Sequence, residues 1–96
     1  MKTLDLVLGK RDDILAAATK RGVRNVRVFG SVARGEDDDI SDVDFLVDLE
    51  EGRGLFSLGG LVMDLRVLLG RGIDVATPED LKPRIKERVL KEAIPL

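Results

Sequence analysis

The sequence predicts a small α/β domain, α+β in detail, with a mixed sheet of about three strands flanked by helices. Segments with strand periodicity alternate along the chain with segments of helical periodicity. The chain has 96 residues, of which 44% are apolar, enough for one modest core. We therefore expect a single domain over residues 1–96.

Helices are predicted where apolar residues recur at helical spacing. The first is expected from Thr3 or Asp5 to about Lys20, although Gly9 is a poor helix former. The second covers Leu55 to Leu69. A third is expected to begin with Thr77 as N-cap and Pro78 in its first turn. Its apolar positions follow four-residue spacing: Leu81, Ile85, Val89 and Ala93.

Strands are predicted where apolar residues alternate or form short β-branched runs. The predicted strands are Val23 to Phe29, Val43 to Leu49, and Ile73 to Ala76. Glycines mark the turns between elements, and Gly30-Ser31 leads from the first strand into a short helical turn over Val32 to Gly35. Glu36 to Ser41 is expected to be a solvated acidic loop.

Composition excludes several classes of function. Cysteine and histidine are absent, which excludes disulfides, thiolate zinc sites and a histidine general base. The net charge of −2 disfavours a dedicated nucleic-acid binder. No apolar run approaches the roughly 20 residues that span a bilayer, and the N-terminus lacks the apolar stretch of a secretory signal. We expect a cytoplasmic protein without a membrane partner.

Three aspartates interrupt apolar strands. Asp42 and Asp44 flank Val43, and residues two apart in a strand point to the same face of the sheet. Asp74 lies between Ile73 and Val75 in the next strand. If the two strands are neighbours, the three carboxylates converge, and a hard divalent cation such as magnesium or manganese would relieve their repulsion. Any one aspartate taken alone is better explained as a turn residue or a strand-edge charge. Aspartate is depleted in strands, however, and finding three beside apolar residues favours a functional site.

The Gly30-Ser31 turn follows a strand and precedes a helical turn. Backbone N–H groups at such a turn can hold a phosphate, and the Ser31 hydroxyl adds a donor. Arg34, one turn later, would face either a phosphate or an acidic neighbour. Alone, this turn is better explained by a purely structural role, and its value lies in leading through one loop directly to Asp42.

Together these segments resemble a known family. Gly30-Ser31, ten intervening residues and then Asp42-Val43-Asp44 are similar to the signature of the DNA-polymerase-beta-like nucleotidyltransferases. The longer strings Phe29 to Gly35 and Ser41 to Val47 resemble the minimal nucleotidyltransferase (MNT) group. Residues 70–78, with Asp74, resemble the segment that carries the third carboxylate of that group, and residues 91–96 resemble its usual end.

The resemblance implies a fold, a reaction and roles for the site residues. The minimal nucleotidyltransferase fold would place Asp42 and Asp44 on two magnesium ions, with Asp74 completing one site. Gly30, Ser31 and Arg34 would bind ATP, the substrate. An acceptor hydroxyl would attack the α-phosphate in line and release pyrophosphate, and Asp74 would help to deprotonate the acceptor.

The resemblance also implies a partner. MNT proteins are often paired with a helical HEPN ribonuclease toxin, to which family members transfer AMP on a tyrosine. The short chain leaves no room for an acceptor domain, which agrees with an acceptor supplied by another protein. Three hypotheses remain open: an AMP-transferring antitoxin, an antitoxin that acts by binding alone, and a regulatory module without a toxin. Four apolar residues either complete the core or line a partner surface: Leu55, Phe56, Leu90 and Ile94.

Overall fold

A computed structural model describes residues 2–96. In chain order the helices are α1 (Thr3–Gly9), α2 (Arg11–Lys20), α3 (Gly30–Arg34), α4 (Leu55–Leu69) and α5 (Pro83–Glu92). The strands are β1 (Val23–Phe29), β2 (Val43–Leu49), β3 (Ile73–Ala76) and β4 (Ile94–Pro95), and a 3-10 turn covers Pro78–Asp80. The three strands that the sequence predicts are confirmed, as is the helix from Leu55 to Leu69.

The strands form one mixed sheet in the order β3-β2-β1-β4. β1 pairs antiparallel with both β2 and β4, whereas β2 and β3 run parallel. The parallel pair is joined by α4, as parallel strands require a crossover connection. This order makes β2 and β3 neighbours, which is the condition under which the three aspartates meet.

The core lies on one face of the sheet. Val43, Phe45 and Val47 of β2 are completely buried there, and α2 and α4 contribute Ile14, Leu61 and Leu65. Burying a side chain of this size contributes roughly 1.5–3 kcal/mol. The alternate residues of β2 point to the other face of the sheet. Of these, Asp44 is half-buried and Leu46 is fully buried.

The first predicted helix is wrong in one respect, because the structure divides it at Lys10. Lys10 leaves helical geometry, with φ −108° and ψ 18°, and serves as the C-cap of α1 and the N-cap of α2. The adjacent Gly9 has low helix propensity, so a break there costs little. Asp12 and Asp13 in the first turn of α2 favour a new helix start, since acidic side chains stabilise a helix N-terminus.

The last helix also begins later than the sequence predicts. Thr77 does cap a turn that starts with Pro78, but the turn is a 3-10 turn of three residues. The Thr77 backbone N–H and hydroxyl both donate to the Asp80 carboxylate, at 3.1 and 3.0 Å. Pro83 then disfavours helical geometry at the residue before it, and Lys82 is extended. The helix therefore restarts at Pro83, and Leu81 lies outside it.

A fourth strand, β4, was not predicted. It has two residues, and Ile94 and Pro95 pair with Val28 and Arg27 of β1. The backbone N–H of Leu96 extends this pairing by donating to the Val26 carbonyl at 2.9 Å. Two residues are too few for periodicity to identify a strand, and the sheet therefore has four strands where the sequence predicts about three.

The four apolar residues that were expected either to complete the core or to line a partner surface differ in their exposure. Leu55, Phe56 and Leu90 are exposed, by 84%, 98% and 43%, whereas Ile94 is half-buried in β4. Leu55 and Phe56 thus contribute little to the core of the isolated chain. Within residues 2–96, no helix has the length and apolar character needed to cross a membrane.

Candidate functional site

Two strands bring the predicted aspartates to one face of the sheet. Parallel pairing aligns Asp44 of β2 directly with Asp74 of β3, where adjacent strands lie about 4.8 Å apart. Asp42 precedes β2 by one residue and shares the side-chain phase of Asp44. The intervening Val43 is completely buried on the opposite, core-facing side. The structure therefore places Asp42, Asp44 and Asp74 side by side, as period-two geometry predicts.

The electrostatics of Asp44 reflect this grouping. Burial, as the largest cause, together with the negative charges of Asp74, Asp42 and Glu92 raises the pKa of the Asp44 carboxyl from 3.8 to about 6. The positive charge of Arg34 acts in the opposite direction. The ionised form of this carboxylate is therefore disfavoured in the folded chain, and a bound cation would offset the neighbouring negative charges.

The oxygen donors suit a hard divalent cation. Magnesium typically binds through one or two protein carboxylates and completes its shell with water and substrate phosphates. Residues 2–96 contain no preformed group of three metal-ligating side chains around one point. The three carboxylates thus offer donors of the right chemistry on a shared face, but the chain alone does not close a cage around an ion.

Gly30 places the Gly-Ser turn directly against Asp44. Its φ of +76° lies in the left-handed region that favours glycine. A Cβ at this position would overlap the Asp44 carboxylate, so a larger residue would displace either the turn or the aspartate. Ser31 follows at the start of α3 and is half-buried. The turn and the acidic cluster therefore form one continuous site.

A residue that the sequence analysis missed, Glu92, occupies the backbone donor of this turn. The Gly30 N–H donates to the Glu92 carboxylate at 2.7 Å. Arg34 donates to both oxygens of the same carboxylate, at 3.0 and 3.1 Å, and also to Glu36 at 3.3 Å. From the sequence, Arg34 was expected to face either a phosphate or an acidic side chain. In the structure its partners are acidic side chains.

Two further residues support Asp42, and sequence reasoning missed both. A Cβ at Gly72 would overlap the Asp42 carboxylate, so the glycine makes room for it. Arg71 donates to the backbone carbonyls of Ser41 and Asp38, at 2.7 and 2.9 Å, and so ties down the loop that precedes Asp42. The parallel register of β2 and β3 pairs Val43 with Ile73, and extending it by one residue places Gly72 opposite Asp42.

The acidic loop is mostly exposed, as predicted, and side-chain hydrogen bonds hold two of its aspartates. Asp37 is half-buried and accepts a hydrogen bond from the Thr3 hydroxyl at 2.5 Å. Asp38 accepts from the Ser41 hydroxyl at 2.7 Å, and this bond helps to hold the pKa of Asp38 below its usual range. Asp39 is exposed, as predicted for this loop.

A groove between α2 and α4, of about 1140 Å³, is remote from this chemistry. It is lined by residues such as Leu15, Ala17 and Val67 and contains none of the three aspartates. Beside it, Arg21 and Asp64 form a bidentate ion pair at 2.9 and 3.2 Å that joins the end of α2 to α4. The candidate site is thus the open sheet face, and the groove is a feature of helix packing.

Comparison with known proteins agrees with the geometry. Residues 11–96 match the family described as nucleotidyltransferase domain. The chain is 40% identical over 94 residues to the protein adenylyltransferase MntA of Thermococcus cleftensis, covering 93% of the chain and 95% of that relative. It is also 40% identical over 81 residues to a protein of Methanocaldococcus jannaschii with a provisional protein adenylyltransferase assignment, covering 84% of the chain and 87% of that relative.

A solved structure extends the match to three dimensions. It is provisionally described as a minimal nucleotidyltransferase and superposes with a TM-score of 0.87 at 45% sequence identity, covering 100% of this chain and 97% of the other. The shared sheet, the grouped carboxylates and the Gly-Ser turn are thus accompanied by similarity along the whole chain. The chain belongs to the nucleotidyltransferase domain family, within its minimal nucleotidyltransferase group.

Proposed function

We propose that the chain is a magnesium-dependent protein adenylyltransferase that transfers AMP from ATP to a hydroxyl group of another protein. The observation that carries the proposal is the alignment of Asp44 with Asp74 on adjacent strands, directly beneath the Gly30 turn. The names of the two relatives, one a protein adenylyltransferase and the other provisionally so described, support AMP as the transferred group and a protein as the acceptor.

The carboxylates are the metal ligands in this proposal. Asp42 and Asp44 would hold two magnesium ions and Asp74 would contribute to one of them, with manganese as a possible substitute. Bound magnesium supplies neutralisation of the charge on the ATP phosphates and on the departing pyrophosphate. The raised pKa of Asp44 supports this role, since it reflects burial of the carboxylate first and the negative charges of Asp74 and Asp42 beside it second.

The turn is the nucleotide-binding element. The hydroxyl of Ser31 would donate to the terminal phosphates of ATP, and Gly30 lets the turn approach Asp44 closely. Arg34 lies beside the turn, where its charge is paired with Glu92 and Glu36, and in this proposal it contributes to ATP binding by exchanging one of these carboxylates for a phosphate. The turn thereby holds the triphosphate next to the carboxylates.

The transfer itself is a substitution at the α-phosphorus. The oxygen of the acceptor hydroxyl forms a bond to that phosphorus, the bond to the β-phosphate oxygen breaks, and pyrophosphate leaves with those electrons. The hydroxyl proton passes to a carboxylate, for which we propose Asp74. Asp74 is exposed and can therefore meet an acceptor presented by a second protein.

The acceptor that we propose is a tyrosine of a cognate HEPN ribonuclease toxin, which makes this chain an antitoxin. Adding AMP to a phenolic oxygen introduces a bulky anionic group, which would oppose RNA binding by the partner through charge and volume. The experiment combines the chain, ATP, magnesium and the helical protein encoded by the neighbouring gene, and weighs the products. We expect the partner to gain the mass of one or more AMP units.

Two variants make this experiment specific. Asp44→Asn should reduce transfer by about 100-fold or more, because a metal ligand is lost. Asp48→Asn is the matched control, since Asp48 lies on the same strand but bonds to Arg27 and Asn25 away from the turn. Equal loss of transfer in both variants would contradict the assignment of Asp44.

A second candidate function is neutralisation by binding alone. It is favoured by Leu55 and Phe56, whose nearly complete exposure at the start of α4 suits a contact surface for a partner. Neutralisation of the toxin in a stable complex, without any gain of mass, would establish this alternative and refute AMP transfer to the partner.

A further inference from the structure

The last residue of α5 ends on the nucleotide-binding turn. Glu92 accepts one hydrogen bond from the Gly30 backbone and two from the Arg34 guanidinium, all between 2.7 and 3.1 Å. Its side chain is only 16% exposed, against 81% for Glu87 on the same helix. Bonds that involve a charged partner are about twice as strong as neutral ones. Glu92 is therefore fixed in place, whereas most of α5 is open to solvent.

The pairing of β4 with β1 explains why Glu92 meets Gly30. Ile94 lies opposite Val28 in this antiparallel pair, and Pro95 lies opposite Arg27. Extending the same register by two residues brings Glu92 opposite Gly30. The short strand thus aligns the end of α5 with the turn, and the position of Glu92 follows from sheet pairing.

Two contacts restrict the geometry of the Gly30-Ser31 turn, one with Glu92 and one with Asp44. Gly30 has a φ of +76°, in the left-handed region. Because glycine can adopt this and many other backbone conformations, the residue type alone does not fix the turn. The bond from its N–H to Glu92 selects one of them, and Arg34 braces the carboxylate from the far end of α3. The same turn touches Asp44 from the other side. The turn is therefore held between a carboxylate of the acidic cluster and a carboxylate of α5.

We propose that Glu92 is a positioning residue, which sets the Gly30-Ser31 turn in the conformation that receives the triphosphate. This inference rests on the proposed function in one respect, the assignment of that turn to nucleotide binding. Glu92 itself does not contact the reacting atoms. It lowers the cost of nucleotide binding, because a turn that is already ordered loses less conformational freedom when the phosphates bind.

The test compares three variants with the wild-type chain. Glu92→Ala removes all three bonds, whereas Glu92→Gln retains a neutral oxygen for the Gly30 N–H and loses the charge that pairs with Arg34. Glu87→Gln is the matched control, because Glu87 is exposed and its ion pair is with Lys91 at 3.2 Å, one turn along α5. Circular dichroism and thermal melting confirm that each variant is folded at the assay temperature.

Binding is measured first, by calorimetry with magnesium and a non-hydrolysable ATP analogue. We expect Glu92→Ala to weaken binding by about tenfold or more, Glu92→Gln by about threefold, and Glu87→Gln by less than twofold. In the transfer assay the KM for ATP should rise by similar factors while kcat changes by less than about threefold. This split distinguishes positioning of the nucleotide from participation in the chemical step.

Three results would overturn the inference. Tighter nucleotide binding in Glu92→Ala would show that the carboxylate competes with the phosphates for the turn. A large fall in kcat at constant KM would make Glu92 a catalytic residue. Unchanged binding with only a lower melting temperature would make its role purely structural. Failure of the proposed function can be distinguished from failure of this inference. If the wild-type chain binds the analogue but transfers no AMP, the effect of Glu92 on nucleotide affinity can still be measured.

Discussion

Replacing Asp44 by asparagine should stabilise the metal-free protein. The carboxylate is half-buried among like charges, and its pKa rises from 3.8 to about 6 in the folded state. That rise corresponds to at most about 3 kcal/mol of unfavourable interaction in the ionised form. Because solvent screens a half-exposed group, we expect about 1–2 kcal/mol in practice.

The pH dependence fixes the sign of this effect. Below pH 3.8 the carboxyl is protonated in both the folded and the unfolded chain, so the substitution changes little. As pH rises from 3.8 to about 6, the unfolded chain ionises first, and the folded wild type loses stability relative to the variant. The advantage of Asp44→Asn should therefore grow across this window and stay constant above pH 7.

The measurement is urea unfolding with a chelator at pH 4.5, 6 and 8. Asp39→Asn is the control, because Asp39 is an exposed aspartate of the loop and should give a difference near zero at each pH. Magnesium at one hundred times its dissociation constant should reverse the order at pH 8, since it stabilises the wild type by about 2.7 kcal/mol. A variant less stable than the wild type at pH 8 without metal, or a difference independent of pH, would refute the reasoning.

The two glycines that adjoin the carboxylates give further predictions. Gly30→Ala should cost more stability than Gly52→Ala, by roughly 1 kcal/mol or more in thermal unfolding, because both have positive φ but only Gly30 has a carboxylate at the Cβ position. Equal losses of stability in the two variants would mean that the Asp44 carboxylate can move away from the added methyl group at no cost. Gly72→Ala should weaken magnesium binding by about tenfold, measured by calorimetry, by displacing Asp42; unchanged affinity would remove Asp42 from the metal ligands.

Local patterning in the sequence determined most of the elements. The strands from Val23, Val43 and Ile73 begin and end where alternating or β-branched apolar residues predict, because a strand with one buried face tends to repeat every two residues. The same rule put Asp42 and Asp44 on one face. The elements that patterning missed are those set by single residues or by distant pairing: the break at Lys10, the restart at Pro83, and β4.

The sequence by itself determined which residue types are available for chemistry and which of them share a strand face. Only the tertiary structure decided that Asp74 lies beside Asp44, since this depends on the strand order β3-β2-β1-β4. It also decided that Glu92 reaches the Gly30 turn, 62 residues away along the chain. The physical reason is that periodicity records the burial of each residue against its near neighbours, whereas contacts between distant segments arise from the pairing and register of whole strands.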